Sequence, residues 1–171
     1  AICPSIRPKI VGGASASLVD WPGQTSLRLA SADGSVAQYF CGGTAITDRW
    51  ILTAAHCLAF LVDGLEAEID DSQGKVHKAR VEAVLGAADL RQVKPAHVYP
   101  VERIIIHEKY REAIDAARKR PTPEEAEKAM LLIAALVGED IGLVRLARPW
   151  QGPVAVLSLG NRSDPGEGAQ V

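Results

Sequence analysis

The sequence predicts an all-β domain built as an antiparallel barrel. Between residues 21 and 51, short strand-like runs alternate with turn residues, a spacing that is typical of such barrels. The runs Thr25 to Ala30 and Val36 to Phe40 are separated by Ser31-Ala32-Asp33-Gly34-Ser35, whose small and polar residues predict a hairpin turn. Three later runs also predict strands: Lys75 to Leu85, Val101 to Ile106 and Val154 to Leu159.

Length and composition restrict the class of protein. At 171 residues, the chain is one domain of ordinary size or a piece of something larger. Its 47% hydrophobic and 23% charged residues are typical of globular proteins, and its net charge of -2 argues against a nucleic-acid partner. No apolar run approaches the roughly 18–20 residues that span a bilayer, so no membrane partner is expected. Because no signal peptide is recognised, we expect the sequence to be a mature or trimmed form.

One stretch concentrates the residues that can carry chemistry. Cys41 and Cys57 bracket a run in which Trp50-Ile51-Leu52 suits a buried strand, and His56 stands directly before the second cysteine. The small pair Ala54-Ala55 leaves room for a tight turn that presents the imidazole at the edge of a cleft. A histidine in this place has two interpretations, a packed core residue or a functional group.

Four short motifs follow one another along the chain. They are Ile10-Val11-Gly12-Gly13, Thr53-Ala54-Ala55-His56-Cys57, Val84-Leu85-Gly86-Ala87-Ala88-Asp89-Leu90 and Asp140-Ile141-Gly142-Leu143-Val144-Arg145-Leu146. Together they resemble the trypsin-like (chymotrypsin-fold) serine proteases, from about Ile10 to the end of the chain with one insertion. The resemblance implies that residues 10–171 form a six-stranded Greek-key barrel, the first of the two barrels of such a protease.

The resemblance also implies roles for two residues. His56 matches the general base of the family, which later protonates the leaving amine. Asp140 matches the carboxylate that accepts the other imidazole N–H and stabilises the imidazolium. The implied reaction is hydrolysis of a protein or peptide substrate without a cofactor.

The nucleophile of that reaction cannot be assigned. The Gly-Asp-Ser-Gly-Gly motif that carries the serine in the family does not occur in this sequence, and Ser158 and Ser163 lack its context. We therefore expect the chain alone to be inactive and a second protease barrel to be a partner. Two hypotheses remain open: a serine endopeptidase of which this is one part, or a catalytically inactive homologue that binds another protein.

The cysteines indicate an oxidising compartment. Cys41 and Cys57 match the pair that is disulfide-linked across the histidine loop in the family, which implies a secreted, extracellular or periplasmic protein. Cys3 is then a free thiol or pairs outside this chain. No metal site is expected, since no Cys/His spacing resembles a zinc pattern. The segment from Gly86 to His97 has alanines where the calcium ligands of many relatives fall.

Residues 1–9 are interpreted as a leader. Lys9 immediately precedes Ile10, as at an activation site cleaved by a trypsin-like protease. The resemblance implies that cleavage frees the Ile10 ammonium, which folds inward and orders the oxyanion hole. The alternative is a surface segment that is never cut.

An insertion at about residues 111–138 lies between the motifs that resemble the first part of the family's sequence, His56 among them, and the motif that contains Asp140. The insertion is predicted to be helical. Thr122-Pro123-Glu124-Glu125 provides an N-cap, a first-turn proline and a capping-box glutamate. Met130, Ile133, Leu136 and Val137 recur at helical spacing before Gly138. A shorter helix is expected from Glu108 to Lys119. In the family this loop borders pockets for substrate residues upstream of the cleaved bond, so the insertion is either a gate to them or a packed decoration.

Overall fold

The computed structural model describes residues 16–61, 63–136 and 138–157. The predicted leader with Cys3, Lys9 and Ile10 lies outside the described residues, as do Ser158 and Ser163. The strands are β1 Gln24–Ser31, β2 Ala37–Ala45, β3 Trp50–Thr53, β4 Glu66–Asp70, β5 Val76–Leu85, β6 Val98–Ile106 and β7 Gly142–Leu146. The helices are α1 Ala55–Leu58, α2 Glu108–Arg118 and α3 Pro123–Leu136. No helix among the described residues has the length and apolar character needed to cross a membrane.

Six strands close into an antiparallel barrel in the order β1-β2-β3-β7-β6-β5. The barrel closes because β5 pairs back onto β1, from Thr25 opposite Leu85 to Ser31 opposite Ala79. β4 pairs with the first half of β5 and β6 with its second half. The chain passes from β3 across to the β4–β5 hairpin and returns through β6 and β7, which is a Greek-key connection. The predicted six-stranded barrel is confirmed.

The core of the barrel consists of side chains that alternate along the strands. Every second residue at the start of β1 is buried, as expected when one face of a strand points inward. Side chains with at most 2% exposure include Leu27, Ile51, Val81, Leu85, Val144 and Leu146. Each buried aliphatic side chain of this size contributes about 1.5–3 kcal/mol relative to an exposed one, which makes the interior the main source of stability.

The hairpin turn between β1 and β2 is where the sequence predicts it. Ser31 Oγ donates to Asp33 Oδ1 at 2.7 Å, and the same oxygen accepts from the Ser35 backbone N–H at 3.1 Å. Gly34 has φ of +70°, a conformation that glycine adopts without steric cost. Local hydrogen bonds therefore fix this turn.

Both predicted helices of the insertion are present. α2 ends one residue before the predicted Lys119. α3 begins at the predicted proline, where Thr122 Oγ1 accepts the Glu125 backbone N–H at 3.2 Å. Val137, the predicted last helical residue, lies outside the described residues.

Two strand predictions need correction. The predicted strand from Val154 to Leu159 is wrong for residues 154–157, which belong to no sheet. A single backbone bond, Ala155 N–H to Ala45 C=O at 2.8 Å, ties that segment to the barrel, and Val156 is 83% exposed. The second correction concerns β6, which begins at Val98 and not at Val101, because its first residues pair with β5.

Candidate active site

His56 and Asp140 are brought together by the register between two strands. Thr53, the last residue of β3, pairs with Gly142, the first residue of β7. His56 lies in α1, which begins two residues after the end of β3, and Asp140 lies two residues before the start of β7. Two residues 84 positions apart in sequence therefore meet at the same end of the barrel.

The carboxylate of Asp140 contacts His56 at two points. Oδ2 lies 2.6 Å from the ring Nδ1, and Oδ1 accepts the His56 backbone N–H at 2.8 Å. A carboxylate accepts and does not donate, so Nδ1 carries the proton and Nε2 has a free lone pair. The His56 side chain is 51% exposed, whereas that of Asp140 is 29% exposed. The arrangement is therefore an open imidazole whose tautomer is set by a half-buried carboxylate.

Asp140 also caps the short helix that carries His56. α1 has four residues, and the side chain of its N-cap residue, Ala54, has no oxygen that could accept a hydrogen bond. The first N–H groups of a helix have no hydrogen-bond acceptor within the helix, so their acceptors come from elsewhere. Asp140 Oδ1 supplies that acceptor to His56 N–H. The orientation of the carboxylate is thus fixed by the backbone as well as by the imidazole.

The environment of Asp140 keeps it ionised. Burial raises the pKa of the carboxyl group, but the hydrogen bonds from the His56 ring and from the backbone N–H groups of His56 and Ala55 oppose it. Together with the attraction to His56, they hold the pKa of Asp140 below its ordinary value. The site therefore presents an anion to His56 throughout the neutral range.

The low pKa of Asp140 makes its contribution to stability depend on pH. Because the folded-state pKa is lower than the unfolded value, ionised Asp140 stabilises the fold above about pH 4. That stabilisation is lost as the pH falls through the folded pKa. We expect the difference in free energy of unfolding between wild type and Asp140→Asn to shrink as the pH is lowered into this acid range. Urea titrations of both proteins measure it, and a difference that stays constant with pH contradicts the prediction.

Gly142 allows β7 to approach the histidine helix closely. A Cβ atom at this position would stand 2.7 Å from Leu58 Cδ1 and 3.3 Å from the Ala54 carbonyl oxygen. Both neighbours flank His56 in the sequence, and the Leu58 side chain is wholly buried. The absence of a side chain at Gly142 is therefore part of what keeps α1 beside Asp140.

We expect Gly142→Ala to lower the free energy of unfolding by about 1–3 kcal/mol, because the added methyl group overpacks this contact. Gly64→Ala is the matched control, since a Cβ at Gly64 meets nothing within 4 Å. Urea denaturation of the two variants compares them directly. Equal midpoints for both variants would show that the approach of β7 to α1 is not tight.

A disulfide stands beside the imidazole. Cys41 in β2 and Cys57 in α1 are bonded, with their Cα atoms 6.0 Å apart. Cys57 Sγ lies 3.5 Å from His56 Nε2, and potential ligand atoms of Cys41, His56 and Cys57 lie within 4.8 Å of one another. A cysteine binds a metal ion as its thiolate, and the two sulfurs of a disulfide are not thiolates. The oxidised cluster therefore offers a metal ion one imidazole nitrogen.

Sequence reasoning missed two contacts made by the neighbours of Asp140 in the chain. Lys109 Nζ lies 2.6 Å from Glu139 Oε1, next to Asp140 in the chain. The His107 backbone N–H donates to the Ile141 carbonyl at 3.0 Å. The spacing of Lys109 and Glu139 in the sequence gives no signal of this contact, since their proximity depends on the return of the chain after the insertion.

Comparison with known proteins identifies the family. The trypsin family model matches residues 10–171. The chain belongs to the trypsin family. Within it, the chain is 34% identical to the bovine (Bos taurus) chymotrypsin-like elastase family member 1 over 105 residues, which is 61% of this chain and 32% of that protein.

A solved structure of similar fold supports the barrel architecture of this chain. The VesB protease of Vibrio cholerae matches 88% of this chain and 34% of its own chain, with a TM-score of 0.50 and 22% identity. This likeness shows the fold alone. In both comparisons, the chain spans about a third of the length of the protein it matches.

Proposed function

We propose that the chain is the N-terminal barrel of a serine endopeptidase, in which His56 is the general base and Asp140 orients it. The observation that carries this proposal is the 2.6 Å contact between His56 Nδ1 and Asp140 Oδ2. The protein is proposed to be secreted, extracellular or periplasmic, which the disulfide supports.

The geometry suits His56 to both proton transfers of peptide hydrolysis. With Nδ1–H donated to Asp140, the free Nε2 can take the proton of an attacking serine hydroxyl. The resulting imidazolium is stabilised by the ionised carboxylate and then gives its proton to the leaving amine. An imidazole can do both near neutral pH. The exposed side of the ring leaves room for a nucleophile and a substrate to reach it.

The serine, the oxyanion donors and the specificity pocket are proposed to come from a second barrel of the same protein. The proposal is supported by the comparisons, in which this chain aligns with about a third of each relative. The inactive homologue is the competing hypothesis. The paired His56 and Asp140 favour the enzyme, because a protein that only binds a partner does not need an oriented base.

The test is a peptidase assay on the protein expressed from its complete reading frame. We expect hydrolysis of peptide substrates and covalent labelling by a fluorophosphonate, which reacts with an activated serine. His56→Ala should abolish both, with an unchanged circular dichroism spectrum. A folded complete protein that, even after cleavage of the Lys9–Ile10 bond by a trypsin-like protease, neither cleaves peptides nor takes the label would favour the inactive homologue.

Activation at Lys9 is a further expectation of the same proposal. Cleavage of the Lys9–Ile10 bond by a trypsin-like protease should raise the peptidase activity of the complete protein by a large factor. Lys9→Gln should block that rise, because trypsin-like proteases require a basic residue before the cleaved bond. Assays before and after treatment measure it. An Arg7→Gln variant, which changes the other basic residue of the leader, is the control that should still be activated.

A further inference from the structure

The insertion leaves and rejoins the barrel at one point. Ile106 at the end of β6 pairs with Gly142 at the start of β7, so residues 107–141 form an excursion between two paired residues. The His107 backbone N–H to Ile141 carbonyl bond, 3.0 Å long, closes the base of this excursion. Asp140 lies on the returning segment. Its position therefore depends on how the excursion is held.

The first turn of α2 holds the returning segment. Lys109 Nζ lies 2.6 Å from Glu139 Oε1. The hydrogen bond from Lys109 is the largest cause of a lowered pKa at Glu139, and the same bond raises the pKa of Lys109. Both shifts favour the charged pair. Glu139 is covalently next to Asp140, so the pair restrains the backbone that carries the carboxylate.

The last turn of α2 holds the segment that follows His56. Arg118 Nη1 lies 2.6 Å from Asp63 Oδ2, in the loop that begins shortly after α1. Between its two ends α2 buries Tyr110, Ile114 and Ala117, at 1%, 0% and 3% exposure. These three belong to the same core cluster as Leu58 and Leu61, which lie in and just after the histidine helix. One helix thus contacts both segments that supply the His56–Asp140 pair.

We propose that α2 is a positioning element for this pair and that Lys109 and Glu139 are positioning residues that orient Asp140. This inference rests on the proposed function for its significance in catalysis. Lys109 is 67% and Glu139 35% exposed in their side chains, and exposed ion pairs contribute little to global stability. The effect of losing the pair is therefore local. The Asp140 carboxylate moves away from Nδ1, and the imidazole is released toward its other tautomer.

The tautomer of His56 is the measurement that tests this proposal. ¹⁵N-histidine labelling of the chain gives ring signals from four histidines, and their nitrogen shifts at alkaline pH report the ratio of Nδ1–H to Nε2–H forms. In the wild type we expect the Nδ1–H form of His56 to dominate. Lys109→Glu places two carboxylates side by side and should lower the ratio about two- to fivefold, the range that exposed pairs allow. The double variant Lys109→Glu/Glu139→Lys restores the pair and should restore the ratio.

Two further variants test whether the change in the His56 tautomer ratio is specific to the Lys109–Glu139 pair. Arg80→Glu reverses the charge of one member of an exposed ion pair, Arg80 with Glu66 on the β4–β5 hairpin. It should leave the His56 tautomer ratio unchanged. Lys109→Met, which removes the charge without repulsion, should lower the ratio less than Lys109→Glu does. An unchanged ratio in Lys109→Glu, no rescue in the swapped variant, or an equal change in Arg80→Glu would overturn the proposal. The measurement needs no peptidase activity, so it can fail or succeed independently of the proposed function.

Discussion

Asp140→Asn is expected to lower kcat of the complete protein about 10⁴-fold, the size known for the corresponding aspartate of the chymotrypsin-type triad and not computed from this geometry. The structure gives the reason. Oδ1 of residue 140 accepts the His56 backbone N–H at 2.8 Å, so an asparagine would place its amide oxygen there. Its NH₂ group would then face Nδ1. Because NH₂ donates, Nδ1 must accept, and the proton moves to Nε2, where it blocks the base.

The chain offers a matched control for this substitution. Asp71 Oδ2 lies 2.9 Å from His77 Nε2, a second aspartate–histidine contact at the β4–β5 hairpin. Hydrogen bonds from His77 and from the Lys75 and Gln73 backbone lower the pKa of Asp71 to about 2. Asp71→Asn makes the same chemical change away from the proposed active site and should leave kcat unaffected. Steady-state kinetics compare kcat of Asp140→Asn with kcat of Asp71→Asn. Equal kcat values would show that Asp140 does not orient the general base.

Local sequence signals predict the local structure well. The β1–β2 turn and the start of α3 each depend on side chains that bond to backbone groups within a few residues, as Asp33 and Thr122 do. β4 is not among the strands that the sequence analysis predicts, although its signal is present. Glu66-Ala67-Glu68-Ile69-Asp70 alternates, with Ile69 buried and the acidic residues exposed.

The candidate site is not encoded locally. The contact between His56 and Asp140 depends on the pairing of Thr53 with Gly142 across the barrel, and no periodicity in either segment specifies that register. Resemblance to a family supplied the pair where composition and spacing could not. The same limit applies to Lys109 and Glu139, which flank the insertion and meet only because the chain returns to the barrel after it.

The insertion was open to two interpretations, a gate to substrate pockets or a packed decoration. The contacts of α2 with Asp63 and Glu139 add a third, because they connect the insertion to the segments beside His56 and Asp140. Deleting residues 111–138 would therefore change the gate and the support of Asp140 together. Point substitutions at Lys109 and Glu139 are the sharper experiment.

Removal of the disulfide is expected to cost about 3 kcal/mol of unfolding free energy. Cys41 and Cys57 are 16 residues apart, and closing a loop of that length restricts the unfolded chain by about this amount. For a domain of this size the loss corresponds to a decrease in Tm of about 6–12 °C. α1 makes the local effect larger than for an average loop. It is a single turn that cannot persist alone, held by the disulfide and by the Asp140 cap.

The measurement compares Cys41→Ala/Cys57→Ala with Cys3→Ala by thermal and urea denaturation. Cys3→Ala removes the third cysteine and leaves the Cys41–Cys57 bond intact, so it should unfold like the wild type. Wild type treated with a dithiol reductant should match the double variant, which separates loss of the bond from loss of the two sulfurs. The His56 tautomer should also become mixed in both, because α1 then loses its covalent tie to β2. A double variant as stable as Cys3→Ala would mean that the strands and the cap at Asp140 suffice to hold the histidine helix.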